Sequence, residues 1–262
     1  KKSGVIPRDV WKNLVIMTNS LETTGFIISV TTYKENDAII NLLTTSGVIT
    51  FVARGIMKID SRFGTLCQLY NKVEVSLDQS RRSGYYNLVG GKVLTNFQPI
   101  YENLEAMVTT SLLVEIIRKT IDEYNVENLY NLLSCAYEAI LNKIDLSIIR
   151  VVFISQIIIA TGLKLDVNEC VRCHSTKGIL SLSFDDGGFV CQKCFNPSVD
   201  VQCKPLYIKL MRYLFIVDYH EAINKDLPLF ESQKLFDDLY DFLCKQLSIS
   251  LKSYKLLKKI KE

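Results

Sequence analysis

The sequence predicts an α+β, multidomain chain: a small N-terminal β-barrel, then a bundle of helices interrupted by a ribbon built on four cysteines. Three observations predict it. Residues 25–97 carry short β-branched and aromatic runs separated by turn residues, the pattern of half-buried strands. After Pro99 the apolar residues recur at helical spacing. Inside the helical part, two Cys-x-x-Cys pairs, "CVRC" and "CQKC", flank a short β-like stretch.

The elements follow in order. Residues 1–23 are read as an N-terminal extension, partly non-native, with Met17 a candidate start. They include "KKSGVIPRDVWKNLVIM", which has no uninterrupted apolar core before a small-residue cleavage site, so no secretion signal is expected. Residues 24–98 form the barrel from "GFIISVTTY", "DAIINLLTT", "GVITFVARG", "NKVEVSLDQ" and "YYNLVGGKVLTNF". Gly47 closes a hairpin tip, because glycine takes positive φ without steric cost. Gly90 and Gly91, inside a strand-like run, mark a bulge or a barrel corner.

Residues 99–168 are the first part of the helical domain. Leu104, Met107, Val108 and Leu112 give one apolar stripe, and Leu129, Leu132, Leu133, Ala136 and Tyr137 give another. Residues 169–200 are the cysteine-rich insert. Residues 201–262 return to the helical period in "PLYIKLMRYLFIVD" and "QKLFDDLYDFLCKQLSISL", and end on a lysine-rich tail.

A chain of 262 residues, 48% hydrophobic, buries a large core without staples. Its net charge of +3 is nearly balanced, so any anion-binding face must be a local patch. The most apolar stretch, "LSIIRVVFISQIIIATGL", holds Arg150 and Gln156 well inside its length. It reads as a buried bundle helix rather than a membrane span.

Eight cysteines without a secretory signal point to a reducing compartment, where paired Cys-x-x-Cys more often bind metal than form disulfides. Cys170, Cys173, Cys191 and Cys194 can close a tetrahedron around one zinc ion, leaving no open position, so the site is structural. "GILSLSF" and "GFVCQKC" pair as a hairpin across residues 185–188, completing a zinc ribbon. An iron–sulfur cluster, a thioredoxin-like redox centre and a site without metal are the alternatives. His174 is a competing ligand by position, although four sulfurs already suffice.

On the barrel, Lys34, Arg54, Lys58 and Arg62 fall on loops, where spaced cations of an oligonucleotide-binding barrel (OB-fold) would follow a phosphate backbone. Arg81 and Arg82 sit at a hairpin tip beside Tyr85 and Tyr86. Ordinary solvation of loops is the competing description. Nothing supports catalysis: neither of the two histidines belongs to a nucleophile motif, no phosphate loop is present, and Glu35 with Asp37 reads as a mixed-charge loop. A zinc-ribbon protein-interaction adaptor, for instance in transcription, is the alternative from a different class.

The stretch "TTYKENDAIINLLTTSGVITFVARGIMKIDSRFG", the four cysteines in order and the ending "LKSYKLLKKI" resemble the RecO family of bacterial recombination mediators over residues 24–260. The resemblance implies an OB-fold, a helical domain and a zinc finger acting in RecF-pathway repair, in the bacterial cytoplasm at the nucleoid. Family members bind single- and double-stranded DNA, anneal complementary strands and join RecR. They also help RecA displace single-stranded DNA-binding protein, whose acidic tail they take up in the helical domain. By position, the family's DNA face falls on Lys34, Arg54, Lys58 and Arg62, with Arg81 and Arg82 beside them. The segment after "ARG" reads "IMKIDSR", less basic than in many relatives. Arg212 and Arg150 are the candidate cations for the tail.

Overall fold

The computed structural model describes residues 20–79, 85–163 and 165–260. They fall into two compact units that meet in sequence between Asn96 and Phe97.

The first unit is a closed five-stranded barrel built from β1 (Ser20–Tyr33), β2 (Asp37–Thr44), β3 (Gly47–Ala53), β4 (Lys72–Gln79) and β5 (Tyr86–Thr95). The strand order is β1-β2-β3-β5-β4, the arrangement of an oligonucleotide-binding fold. β1 is long because it serves two partners. Its first half pairs antiparallel with β4, from Ser20 opposite Asp78 to Phe26 opposite Lys72, and its second half pairs with β2. A bulge between Ile27 and Ser29 turns it from one neighbour to the other. β3 and β5 close the barrel with a short parallel pairing, Phe51 opposite Tyr86 and Val52 opposite Asn87.

The period of two expected of a half-buried strand is visible in the core. Ala38, Ile40 and Leu42 of β2 meet Phe51 and Ala53 of β3 and Val73, Val75 and Leu77 of β4, all buried. The expectation for the glycine pair holds: the β4–β5 ladder slips by one residue next to Gly90, between Ser76 and Leu77. At Gly91, with φ +156°, a Cβ would lie 2.5 Å from the Glu74 carbonyl oxygen, so no side chain fits. The sequence reading started the barrel at residue 24, whereas β1 begins at Ser20. Ser20, Glu22 and Thr24 have no apolar alternation of their own, and pairing with β4 makes them a strand.

The second unit opens with a single 3-10 turn, Gln98–Glu102, followed by α1 (Leu104–Thr120), α2 (Val126–Leu141) and α3 (Leu146–Ala160). A small sheet comes next: β6 (Asp166–Cys170), β7 (Ile179–Ser183) and β8 (Gly188–Cys191), in the order β6-β8-β7. The chain then returns to helix in α4 (Pro205–Ile216), α5 (Tyr219–Ile223), α6 (Leu229–Leu247) and α7 (Lys252–Lys259).

α3 is the centre of this unit and packs against α1, α2, α4, α5 and α6. Its 15 residues span about 22 Å, short of a bilayer core of about 30 Å. No described helix is long and apolar enough to cross a membrane. Arg150 and Gln156, inside its apolar run, both reach partners on other elements, although the buried Arg150 Nε has none among the described residues. Arg150, 1% exposed, donates to Glu105 Oε1 at 3.0 Å, Thr109 Oγ1 at 2.9 Å and Gln233 Oε1 at 3.2 Å. Gln156 donates to the Leu214 carbonyl at 3.2 Å.

Candidate metal centre and nucleic-acid interface

The cysteine module is assembled by its sheet. β6 delivers Cys170 and β8 delivers Cys191, and β7 and β8 form the hairpin expected across residues 185–188. Each Cys-x-x-Cys pair then folds into a tight turn. In the first, the His174 N–H donates to the Cys170 carbonyl at 2.8 Å, with His174 at φ +60°; in the second, the Cys194 N–H donates to the Cys191 carbonyl at 3.0 Å. The four Sγ atoms lie within 4.8 Å of one another, and Cys173 and Cys191 are 3.6 Å apart. Sulfurs on a tetrahedron around zinc at roughly 2.3 Å would stand about 3.8 Å apart, so the donor set fits that ion.

The charges of this cluster are compatible with a bound cation. Burial raises the Cys170 thiol, but the backbone N–H groups of Cys191, Arg172 and Cys173 outweigh it and lower it to about 6. Cys194 is pushed up to about 12, first by the neighbouring Cys173 thiol and then by burial. Four sulfurs this close cannot all be anionic unless a positive ion sits among them. His174 is 76% exposed and its Nδ1 lies 2.6 Å from Glu169 Oε1, so it is engaged with that carboxylate.

Arg172, between the first two cysteines, locks the module. Its guanidinium reaches Asp186 in the hairpin turn at 2.5 Å, Asp200 at 2.6 and 2.8 Å, and the Cys194 carbonyl at 2.8 Å. Asp200 also accepts the Asn196 N–H at 2.8 Å. Both carboxyls are held below the usual carboxylate range, first of all by their hydrogen bonds to Arg172. One side chain thereby ties together the first turn, the hairpin tip and the segment that follows the second turn.

On the barrel, two hydrogen bonds gather the cations. The Gly55 N–H donates to Asp37 Oδ1 at 2.9 Å, and the Met57 N–H donates to the Asn36 carbonyl at 3.1 Å. These join the β1–β2 turn, which carries Lys34, to the loop after β3, which carries Arg54 and Lys58. All three side chains are exposed and no carboxylate pairs with them among the described residues. Arg62 lies further along the same loop, its guanidinium 4.4 Å from the centre of the Phe63 ring. Lys34 Nζ stands 5.1 Å from the Tyr33 ring, and Tyr33 is itself 40% exposed. Tyr85 is exposed, whereas Tyr86 packs against the barrel core. Arg81 and Arg82 lie outside the described residues.

In the helical unit, the burial of Arg150 removes it from any surface role, and Arg212 is exposed on α4. Leu206, Leu210 and Tyr213 of that helix, with Leu227 and Pro228, line an apolar slot of about 180 Å³ flanked by Lys209, Lys225 and Asp226. Sequence reasoning missed this slot, because its two walls are far apart in the chain. It also missed Arg172 as a clamp: a cation between two cysteines carries no spacing signal of its own. Asp37, set aside in sequence as one of two loop acids, is the brace of the cation loop.

Two family models match the chain. "Recombination protein O N terminal" covers residues 17–97, and "Recombination protein O C terminal" covers residues 101–255. Among curated proteins, the DNA repair protein RecO of Listeria monocytogenes serotype 4b is 27% identical over 242 residues, covering 90% of this chain and 93% of the relative. That of Bacillus pumilus is 24% identical over 240 residues with the same coverage. The protein of the same name from Lactobacillus acidophilus is 28% identical over 177 residues, 67% of this chain and 70% of the relative.

Proposed function

The chain belongs to the recombination protein O family, and from that premise we propose that it is a recombination mediator of the RecF pathway without catalytic activity of its own. It binds single- and double-stranded DNA, anneals complementary strands and, with RecR, helps load RecA onto DNA coated by single-stranded DNA-binding protein. Its place of action is the bacterial cytoplasm, at the nucleoid.

The observation that carries this reading is the tie between Gly55 and Asp37, which collects Lys34, Arg54 and Lys58 on joined loops of an oligonucleotide-binding barrel. Unpaired cations on such loops neutralise phosphates, and the exposed Tyr33 ring beside Lys34 offers a face for an unstacked base. Contacts of this kind are tolerant of sequence, as a protein acting on any damaged site requires. Arg62 extends the cation track, and Arg81 and Arg82 are proposed as further DNA contacts on the family resemblance alone.

Cys170, Cys173, Cys191 and Cys194 would hold one structural zinc ion. When bound, the ion supplies the positive charge that lets all four sulfurs be thiolates. With four protein donors it has no open position for water or substrate, in keeping with a non-enzymatic role. For the acidic, aromatic-ended tail of single-stranded DNA-binding protein, the apolar slot between Lys209 and Lys225 is a better receptor than either arginine considered in sequence. It joins an apolar floor to two cations, with the single acid Asp226 beside Lys225.

The test is a titration of fluorescent single-stranded oligonucleotide at two salt concentrations, with and without RecR. Affinity that falls steeply with salt supports the mediator; absence of binding at low salt sinks it and favours a protein-interaction adaptor.

A further inference from the structure

We infer that the helical unit carries a second nucleic-acid surface, formed by α7 and the end of α1, that holds a phosphate backbone independently of the barrel. It rests on the DNA reading above and extends it to a site that the barrel does not contain.

α7 reads "KSYKLLKK", with lysines at 252, 255, 258 and 259 and no acid. Its buried residues are Tyr254 and Leu257. At 100° per residue Lys252, Lys255 and Lys259 occupy the opposite arc, while Lys258 stands at the flank with its Nζ 4.7 Å from the centre of the Tyr254 ring; all four are exposed. α7 packs against α1, whose last turn adds exposed Arg118 and Lys119. The two ends meet through Glu115: its carboxylate accepts the Lys252 N–H at 3.0 Å and the Ser253 N–H at 2.9 Å. Arg118 and Lys119, three and four residues on from Glu115, share its helix face. Among the described residues none of these six cations forms an ion pair. Glu115 and Asp237, the carboxylates bonded to α7, are turned to its backbone and to the Tyr254 hydroxyl.

A helix built only to stay soluble would intersperse signs. Here Lys252 with Lys255, Lys255 with Lys258, and Lys255 with Lys259 are like-charge neighbours at three or four residues, each of which weakens the helix. Lys252 also stands in the first turn, against the helix dipole. A sequence that keeps these penalties concentrates charge for a polyanion. The choice between nucleic acid and an anionic membrane is settled by the apolar face. A helix that lies on lipid inserts that face, whereas Tyr254 and Leu257 are already buried in the bundle and only Leu256, 47% exposed, faces outward with the lysines. What α7 offers is charge without a wedge, which suits a phosphate backbone. A strand held here while another occupies the barrel loops gives the chain two grips, as annealing needs.

The experiment uses the full chain with Lys255→Gln, Lys258→Gln and Lys259→Gln together, a matching triple Lys→Arg variant, and the barrel variant Arg54→Ala with Arg62→Ala. Each is titrated with fluorescent single-stranded oligonucleotide across salt, assayed for annealing, and floated with phosphatidylserine vesicles. Circular dichroism and melting confirm that each variant is folded. Three lost contacts at about 0.7 each flatten the log affinity against log salt slope by about 2 in the glutamine variant. Annealing slows several-fold in that variant, and arginine restores both. A glutamine variant with wild-type slope and annealing overturns the inference, and a defective barrel variant in the same series leaves the barrel reading standing. Loss of vesicle binding with oligonucleotide binding intact also overturns it and assigns the face to lipid. Absence of oligonucleotide binding by the wild-type chain at low salt removes the DNA reading itself.

Discussion

Glu115 caps a helix 137 residues downstream of it: its Oε1 accepts the Lys252 N–H at 3.0 Å while Oε2 takes the adjoining Ser253 N–H at 2.9 Å. α7 has no capping side chain of its own, since Leu251 stands at its N-cap position. The last helix is therefore pinned to the first by one carboxylate. Burial raises the Glu115 pKa, but the Ser253 and Lys252 backbone donors outweigh it and leave the carboxyl below the usual glutamate value.

Glu115→Gln is expected to free α7. A lost N-cap costs about 1 kcal/mol, or about 2–4 °C in Tm for a unit of this size. Trypsin should cut within residues 252–259 sooner than in the wild type, while the barrel melts unchanged. The pH dependence has a definite sign. A carboxyl with a depressed folded pKa contributes stability above its unfolded value, and that stability disappears as the pH falls through the folded one. Protection of α7 amides from hydrogen exchange should fade in the wild type on acidification below the ordinary glutamate range. In the glutamine variant it should be weak at every pH.

Elemental analysis should find one zinc per chain, and Cys191→Ser should abolish it. Chelator treatment should unfold the cysteine module, seen as loss of protection at residues 166–191, and leave the barrel amides protected. Cys67→Ser makes the reverse pattern. Cys67 is buried in the barrel, where burial pushes its thiol to about 12, and a hydroxyl there without a partner destabilises the barrel by about 1–3 kcal/mol. Its zinc content should equal that of the wild type.

Arg54→Ala with Arg62→Ala should weaken DNA of any sequence almost equally, because phosphate contacts carry no sequence information. Two contacts at about 0.7 each flatten the salt slope by about 1.4 for single strands. Annealing should fall with affinity, and zinc content and Tm should stay near wild type. Normal binding and annealing across salt would remove the barrel loops from the DNA face.

Gly91→Ala and Gly178→Ala separate backbone strain from collision. Both glycines have positive φ, at +156° and +67°. At Gly178 an added Cβ meets nothing within 4 Å, so the cost is that of the left-handed conformation, about 1–2 kcal/mol. At Gly91 the Cβ must also displace the Glu74 carbonyl, 2.5 Å away. The Gly91 variant should be recovered mostly unfolded, the Gly178 variant folded with a modestly lower Tm.

The features visible in the sequence were those set by local pattern. β4 announces itself by alternation, β2 by its aliphatic run between turn residues, the bulge beside Gly90 by its glycine pair, and the cysteine cluster by spacing. Arg150 and Gln156 correctly marked the apolar run as a bundle helix, since a buried polar residue implies a partner on a neighbouring element. What the sequence hid depends on residues distant in the chain. β6 has no apolar alternation and becomes a strand only by pairing with β8. Glu115 looks like any surface acid on α1 until the chain returns to it at Lys252. The joining of Lys34 to Arg54 depends on the Asp37 carboxylate accepting an N–H from Gly55, a bond that no periodicity encodes.

The closed order of the barrel has one more result. β1 lends one half to β2 and the other to β4, and β3 joins β5, so every strand has a neighbour on both flanks. An open sheet exposes a row of unpaired amides at its margin, which another chain can extend into a growing stack. Among the described residues this unit keeps such a margin short, at the seam where β3 and β5 share two residue pairs. Strand addition and side-by-side stacking, the usual route by which a sheet aggregates, are thereby disfavoured.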